Sequence, residues 1–144
     1  MVIDVPTLLT LTDTQLNDIF RSGVADPIPD GAARGTAIVA NGTKFSPQIA
    51  EAVSRFVWQG KTFDRAHGVL RNRITAFGIN AILAEVYKGP SQFDGKECIV
   101  VDYSKTSLVA SRVRDEIRLI APKLYLGLFY AHNKPTLHFA LEFE

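Results

Sequence analysis

Residues 124–143 read LYLGLFYAHNKPTLHFALEF, two apolar, aromatic-rich runs broken by His132-Asn133-Lys134-Pro135. Leu124 to Ala131 and Thr136 to Phe143 read as two strands of a hairpin, because β-favouring residues flank a cluster of turn formers. With Asn133-Lys134 as a two-residue turn, Leu126, Leu128, Tyr130, Leu137, Phe139 and Leu141 share one face. Tyr125, Gly127, Phe129, His138, Ala140 and Glu142 share the other. Gly127 and Ala140 then become cross-strand neighbours with almost no side-chain volume between them. Space bordered by Tyr, Phe, His and Glu has the composition of a ligand pocket.

The preceding chain carries more of the same pattern. Lys61 to Asp64, Leu70 to Thr75, Asn80 to Lys88 and Glu97 to Tyr103 read as strands, the last two joined through Gly89-Pro90 and Asp94-Gly95. Pairing Lys88 with Lys96 puts Ile82, Ala84, Val86, Val100 and Asp102 on one face, with Asp102 as its one acid. Leu83, Glu85, Tyr87, Ile99, Val101 and Tyr103 fall on the other. Residues 105–120 fit both a helix, through Val109, Val113 and Ile117, and a strand. The reading here is a short helical turn at Ser107 to Ser111, then a strand to Ile120. Arg114, Asp115, Glu116 and Arg118 on it form a charge ladder at the surface, or an anion-gripping rim in the case of Arg114.

Two helices precede the strand-rich region. Thr12 and Gln15 form a capping box, Leu11 staples onto Leu16, and Gly23 ends the first helix. Gly35 to Ala40 is a strand, closed by the Asn41-Gly42 turn. Ser46 and Pro47 open a second helix carrying Ile49, Val53, Phe56 and Val57 at helical spacing and ending at Gly60. Trp58, at its end, is expected to be buried where the barrel closes. The fold class is therefore mainly β: one domain spanning 1–144, an antiparallel barrel of seven or eight strands with two short helices.

Composition removes several functions. A formal net charge of +1 with scattered basic residues argues against nucleic acid as a partner. No stretch has the apolar length of a membrane-spanning helix, and the start has no secretion pattern, which points to the cytoplasm. Cys98 is the single cysteine, so no internal disulfide exists. His67, His132 and His138 lack metal-ligand spacing, and neither a phosphate loop, a dinucleotide fingerprint nor a Gly-x-Ser-x-Gly elbow occurs. Neither a metal nor a cofactor is expected.

The landmarks Trp58-Gln59-Gly60-Lys61, Phe63-Asp64, Val86-Tyr87-Lys88-Gly89, Asp102-Tyr103-Ser104, Arg114-Asp115-Glu116-Ile117-Arg118 and Tyr125-Leu126-Gly127 resemble small bacterial lipocalin-like proteins. Their order is similar to that of the GXWXG family. The likeness covers the last two thirds of the chain and implies a calycin-type barrel. The first strand reads Gly35-Thr36-Ala37, without the tryptophan of that family's name, so no functional residue is carried over.

Three functional readings follow. The first is a barrel that binds one small hydrophobic molecule, with Trp58, Phe63, Tyr125 and Phe129 as apolar wall, Asp102 and His138 as polar anchors, and Arg114 at the rim. The second is a cofactor-independent isomerase, cyclase or lyase in which Asp102 or His138 moves a proton. The third is a homodimeric interaction module pairing through the face that holds Leu126 and Leu137.

Overall fold

The computed structural model describes residues 3–38, 61–74, 79–103, 113–131 and 134–144. The second helix of the sequence reading, with Trp58, the Asn41-Gly42 turn and the turn at 107–111 lie outside the described residues.

Two helices come first. α1 (Val5–Leu8) is capped by Asp4, whose carboxylate accepts the Thr7 N–H at 2.9 Å. α2 (Asp13–Ser22) carries the expected capping box: Thr12 Oγ1 accepts from the Gln15 N–H at 3.2 Å, and Gln15 Oε1 accepts from the Thr12 N–H at 3.0 Å. Thr12→Ala should therefore cost about 1 kcal/mol, read as a lower urea midpoint at unchanged m-value. Gly23 ends α2 for want of room: a Cβ there would sit 2.8 Å from Arg118 Cβ and 3.1 Å from the Leu119 carbonyl oxygen.

Eight strands follow: β1 (Gly31–Ile38), β2 (Lys61–Asp64), β3 (Val69–Ile74), β4 (Ile79–Pro90), β5 (Glu97–Asp102), β6 (Val113–Ala121), β7 (Leu124–Ala131) and β8 (Lys134–Phe143). They form a closed barrel in sequence order, every ladder antiparallel, and β1 pairs β8 from Ala33↔Phe143 to Ile38↔His138. β1 begins four residues before the strand expected at Gly35. Gly31-Ala32-Ala33 has little strand preference of its own, and its pairing with β2, Gly31↔Phe63 onward, overrides that.

Alternation along the strands divides the apolar residues into two sets. Phe63, Leu70, Ala84, Val86, Ile99, Val101, Ile117, Tyr125, Phe129, Leu137, Phe139 and Leu141 fill the barrel. Leu124, Leu126, Leu128, Tyr130 and Ala140 point outward instead, and Leu8, Leu16 and Phe20 of the helices cover them. Segment 24–30 then crosses one end of the barrel. Val24 and Leu119 exchange backbone hydrogen bonds at 3.0 and 2.8 Å, Ala25 and Ile28 pack on the interior, and Tyr125 Oη donates to the Pro27 carbonyl oxygen at 2.7 Å.

Two expected registers are corrected. In the terminal hairpin Ala131 pairs Lys134, so the turn is one residue earlier than expected, and a β-bulge between Phe129 and Tyr130 then sets Gly127 opposite Phe139, which reverses the faces. Leu126 and Leu128 therefore lie outside while Leu137, Phe139 and Leu141 lie inside. The proposed dimer face disappears, since Leu126 and Leu137 sit on opposite sides of the sheet and both are buried within the chain. On β4 and β5, Val86 pairs Val101, an offset of three from the Lys88–Lys96 assumption, which reverses the faces. The cause is the 91–96 turn, closed by its own bonds and held from a distance by β6. Ser91 N–H donates to the Lys96 carbonyl at 2.8 Å, and Arg118 grips Asp94.

Candidate functional site

Inward positions on β6 are Leu119, Ile117 and Asp115, so alternation carries a carboxylate into the barrel. Asp115 pairs with Val101 on one side and Phe129 on the other, and it is 1% exposed. Tyr103, just past the end of β5 and equally buried, donates its hydroxyl to Asp115 Oδ2 at 3.2 Å. Burial first, and then the neighbouring Asp115 charge, push the Tyr103 phenol well above its ordinary range. The hydroxyl therefore stays protonated and keeps its bond to Asp115 at any physiological pH. Taking a carboxylate out of water costs several kcal/mol before its partners offset any of it. An acid kept among Val101, Ile117, Phe129 and Leu137 marks a site candidate on that ground.

The pair lies away from the end crossed by segment 24–30. Near that crossed end the interior is aromatic, the Phe143 ring packing 5.4 Å from Tyr125 and 5.7 Å from Phe63, and an open cavity of about 440 Å³ lies at its β1–β8 edge, lined by Asp30, Gly31, Ala33, Glu142 and Phe143 among others. At mid-height Gly127 does not leave the space expected of it. The Phe139 ring covers it so closely that a Cβ on residue 127 would lie 2.2 Å from Phe139 Cζ. Ala37 of β1 and Ala84 of β4 also face the interior and are small.

The seven residues expected to form the site fall into three groups. Phe63, Tyr125 and Phe129 do share the barrel interior. Asp102 and His138 are on its outside, a correction that follows from the two register changes, and Arg114, expected at the rim, is on the outer face of β6. Asp102 accepts a hydrogen bond from Tyr87 Oη at 2.9 Å on the outer face of β4 and β5. Arg114 donates to Glu116 Oε2 and, at 2.9 Å, to the Pro90 carbonyl. Trp58 lies outside the described residues.

His138 sits beneath α2. Its Nε2 is 2.7 Å from Asn17 Oδ1 and its Nδ1 3.5 Å from Asp13 Oδ1, beside a groove of about 150 Å³ that Phe93, Leu128 and Pro135 also line. Asp102 and His138 thus share no cavity. Burial, outweighing the Asp13 carboxylate, lowers the His138 pKa. The folded protein accordingly favours neutral imidazole, and the unfolded chain binds the proton more readily. Stability should be complete above the ordinary histidine range near pH 6.5, fall as pH drops through it, and level off below the folded pKa. Urea unfolding near pH 7.5 and near pH 5.5 should show that loss in wild type and a smaller one in His138→Gln.

The ladder expected at the surface is mostly internal. Glu116 is fully buried and accepts from Ser91 Oγ at 2.6 Å and from the Gln92 N–H at 2.8 Å, while Arg118 is 1% exposed. These two fasten the 91–96 turn to the barrel. Cys98 is buried, with its thiol pushed up to about 12 chiefly by burial, so it offers no thiolate for nucleophilic work. Tyr103 and Asp115, the pair the sequence reading did not propose, were separated there by two assumptions. One gave Asp115 to the surface and the other treated Tyr103 as an ordinary strand residue. A strict alternation count on Asp115, Ile117 and Leu119 is the signal that finds the acid.

No family model matches the sequence, and no curated protein does. Among solved structures the chain is similar to a protein from Thermomonospora curvata determined by crystallography. The two are 16% identical with a TM-score of 0.65, over 97% of this chain and 93% of that one. At that identity the likeness speaks for the shared barrel fold and for nothing finer.

Proposed function

We propose that the barrel binds one small, mainly apolar molecule in the half of its interior that holds Tyr103 and Asp115, with this pair as the polar anchor. The observation that carries the reading is a carboxylate and a phenol, both buried, inside an otherwise apolar barrel and away from the end that segment 24–30 crosses. A mostly apolar lining with few convergent polar groups is how small-molecule sites are commonly built. The lipocalin-like resemblance of the sequence agrees with this reading.

Asp115 as acceptor, with the lone pairs of the Tyr103 hydroxyl oxygen beside it, suits a ligand carrying a hydroxyl or an amine on an apolar body. Titration with N-phenyl-1-naphthylamine, a neutral apolar fluorophore with one N–H, tests this directly. Saturable one-site enhancement is expected in wild type. Tyr103→Phe and Asp115→Asn should each weaken it about tenfold or more, the scale of one lost hydrogen bond to a charged group. Fluorescence that rises without saturation, or variants that bind as wild type does, would sink the proposal.

A further inference from the structure

We infer that Phe139 sets how deep a ligand can penetrate the barrel, an inference that rests on the binding reading above. Phe139 stands on β8 opposite Gly127 of β7 and Ala37 of β1, so neither strand neighbour carries a bulky side chain at that height. Its ring takes the room that Gly127 leaves: a Cβ on residue 127 would meet Cζ at 2.2 Å and both Cε atoms at 2.5 Å. The ring is 1% exposed.

The inward residues of three adjacent strands stack in matching tiers. Register aligns Asp115 with Phe129 and Leu137, then Ile117 with Gly127 and Phe139, then Leu119 with Tyr125 and Leu141. The first tier holds the polar anchor and the third lies toward the aromatic end that segment 24–30 crosses. Phe139 is the largest side chain of the middle tier, hence the floor on which an anchored ligand's apolar tail ends. Successive inward residues on a strand are about 6.6 Å apart, so with barrel tilt one tier adds about 5 Å along the axis. Shortening residue 139 therefore admits a tail longer by a few methylenes.

Straight-chain primary alcohols from hexanol to dodecanol provide the probe, measured by displacement of N-phenyl-1-naphthylamine and by calorimetry. In wild type, affinity should rise by roughly fourfold per methylene and then stop at a cutoff length. Phe139→Leu should move that cutoff to longer alcohols by two methylenes or more, and Phe139→Ala further still. If Phe139→Ala does not fold, the Leu variant and Phe139→Met carry the comparison, each checked by thermal unfolding. A wild type that binds no alcohol overturns the binding reading itself. A wild type with a clear cutoff that the variants leave in place overturns only the role of Phe139.

Discussion

Arg118→Ala should remove about 3–5 kcal/mol of stability, the scale expected when one partner of a buried ion pair is deleted. The guanidinium holds Asp94 in two places, at 2.7 and 2.8 Å, and donates to the carbonyl oxygens of Phe20, Lys96 and Glu97 at 3.1 to 3.2 Å. It also lies over the Phe20 ring, 4.6 Å from its centroid. One side chain thus ties the end of α2, the 91–96 turn and β6 together. Its bond holds the Asp94 carboxyl at about 2, below the ordinary carboxylate range. That share of stability is present above about pH 4 and lost as pH falls toward 2. Arg118→Lys should recover only part of the loss, because an ammonium cannot span both carboxylate oxygens. Arg21→Ala, which breaks the exposed Arg21–Asp18 pair and lifts the Arg21 guanidinium off the Phe93 ring, 4.7 Å away, is the comparison and should cost only about 1 kcal/mol. Equal urea midpoints for the Arg118 and Arg21 variants would show that the network contributes no more than that exposed arginine.

Gly127→Val should cost about 3 kcal/mol, although valine favours strands and glycine does not. The inversion comes from the Phe139 ring resting on residue 127, which any branched side chain must push into the lumen. Gly89→Ala is the matched comparison on β4. A Cβ there meets Tyr87 and Val100 at an ordinary 3.5 Å, so that change should be neutral or slightly stabilising. Because the cost at 127 is a collision with one ring, Phe139→Leu in the same chain should recover much of it, a non-additivity read from thermal unfolding of the cycle. A Gly127→Val protein as stable as wild type would mean that the ring has another resting place.

What could be read from sequence was local. The capping box at Thr12 and Gln15, the hairpin order and most strand positions depend on residues close in the chain, and they hold. What escaped was register, which depends on contacts the sequence does not display. A β-bulge between Phe129 and Tyr130, just past the last turn, moved His138 from the interior to the underside of α2. The 91–96 turn, gripped by Arg118, moved Asp102 to the outer face. Asp115, Glu116 and Arg118 looked like surface charge because charged residues are rarely buried, and their partners lie about 12 to 25 residues away. What was legible was that Phe63, Tyr125 and Phe129 face the barrel interior, of which only Phe129 stands beside Asp115; the polar anchors were misplaced.

The ladder between β1 and β8 also governs how the chain behaves toward other copies of itself. While it is formed, β8 has a strand on each edge, β7 on one and β1 on the other. β1 is held mostly by backbone pairing, since Gly31, Ala32, Ala33, Gly35 and Ala37 offer little side-chain grip. If it detaches, β8 is left as a ten-residue template with Leu137, Phe139 and Leu141 alternating along one face. Such a strand recruits others and seeds aggregation. Resistance to self-association in this protein is thus set less by its surface charge than by how firmly its most glycine- and alanine-rich strand stays paired.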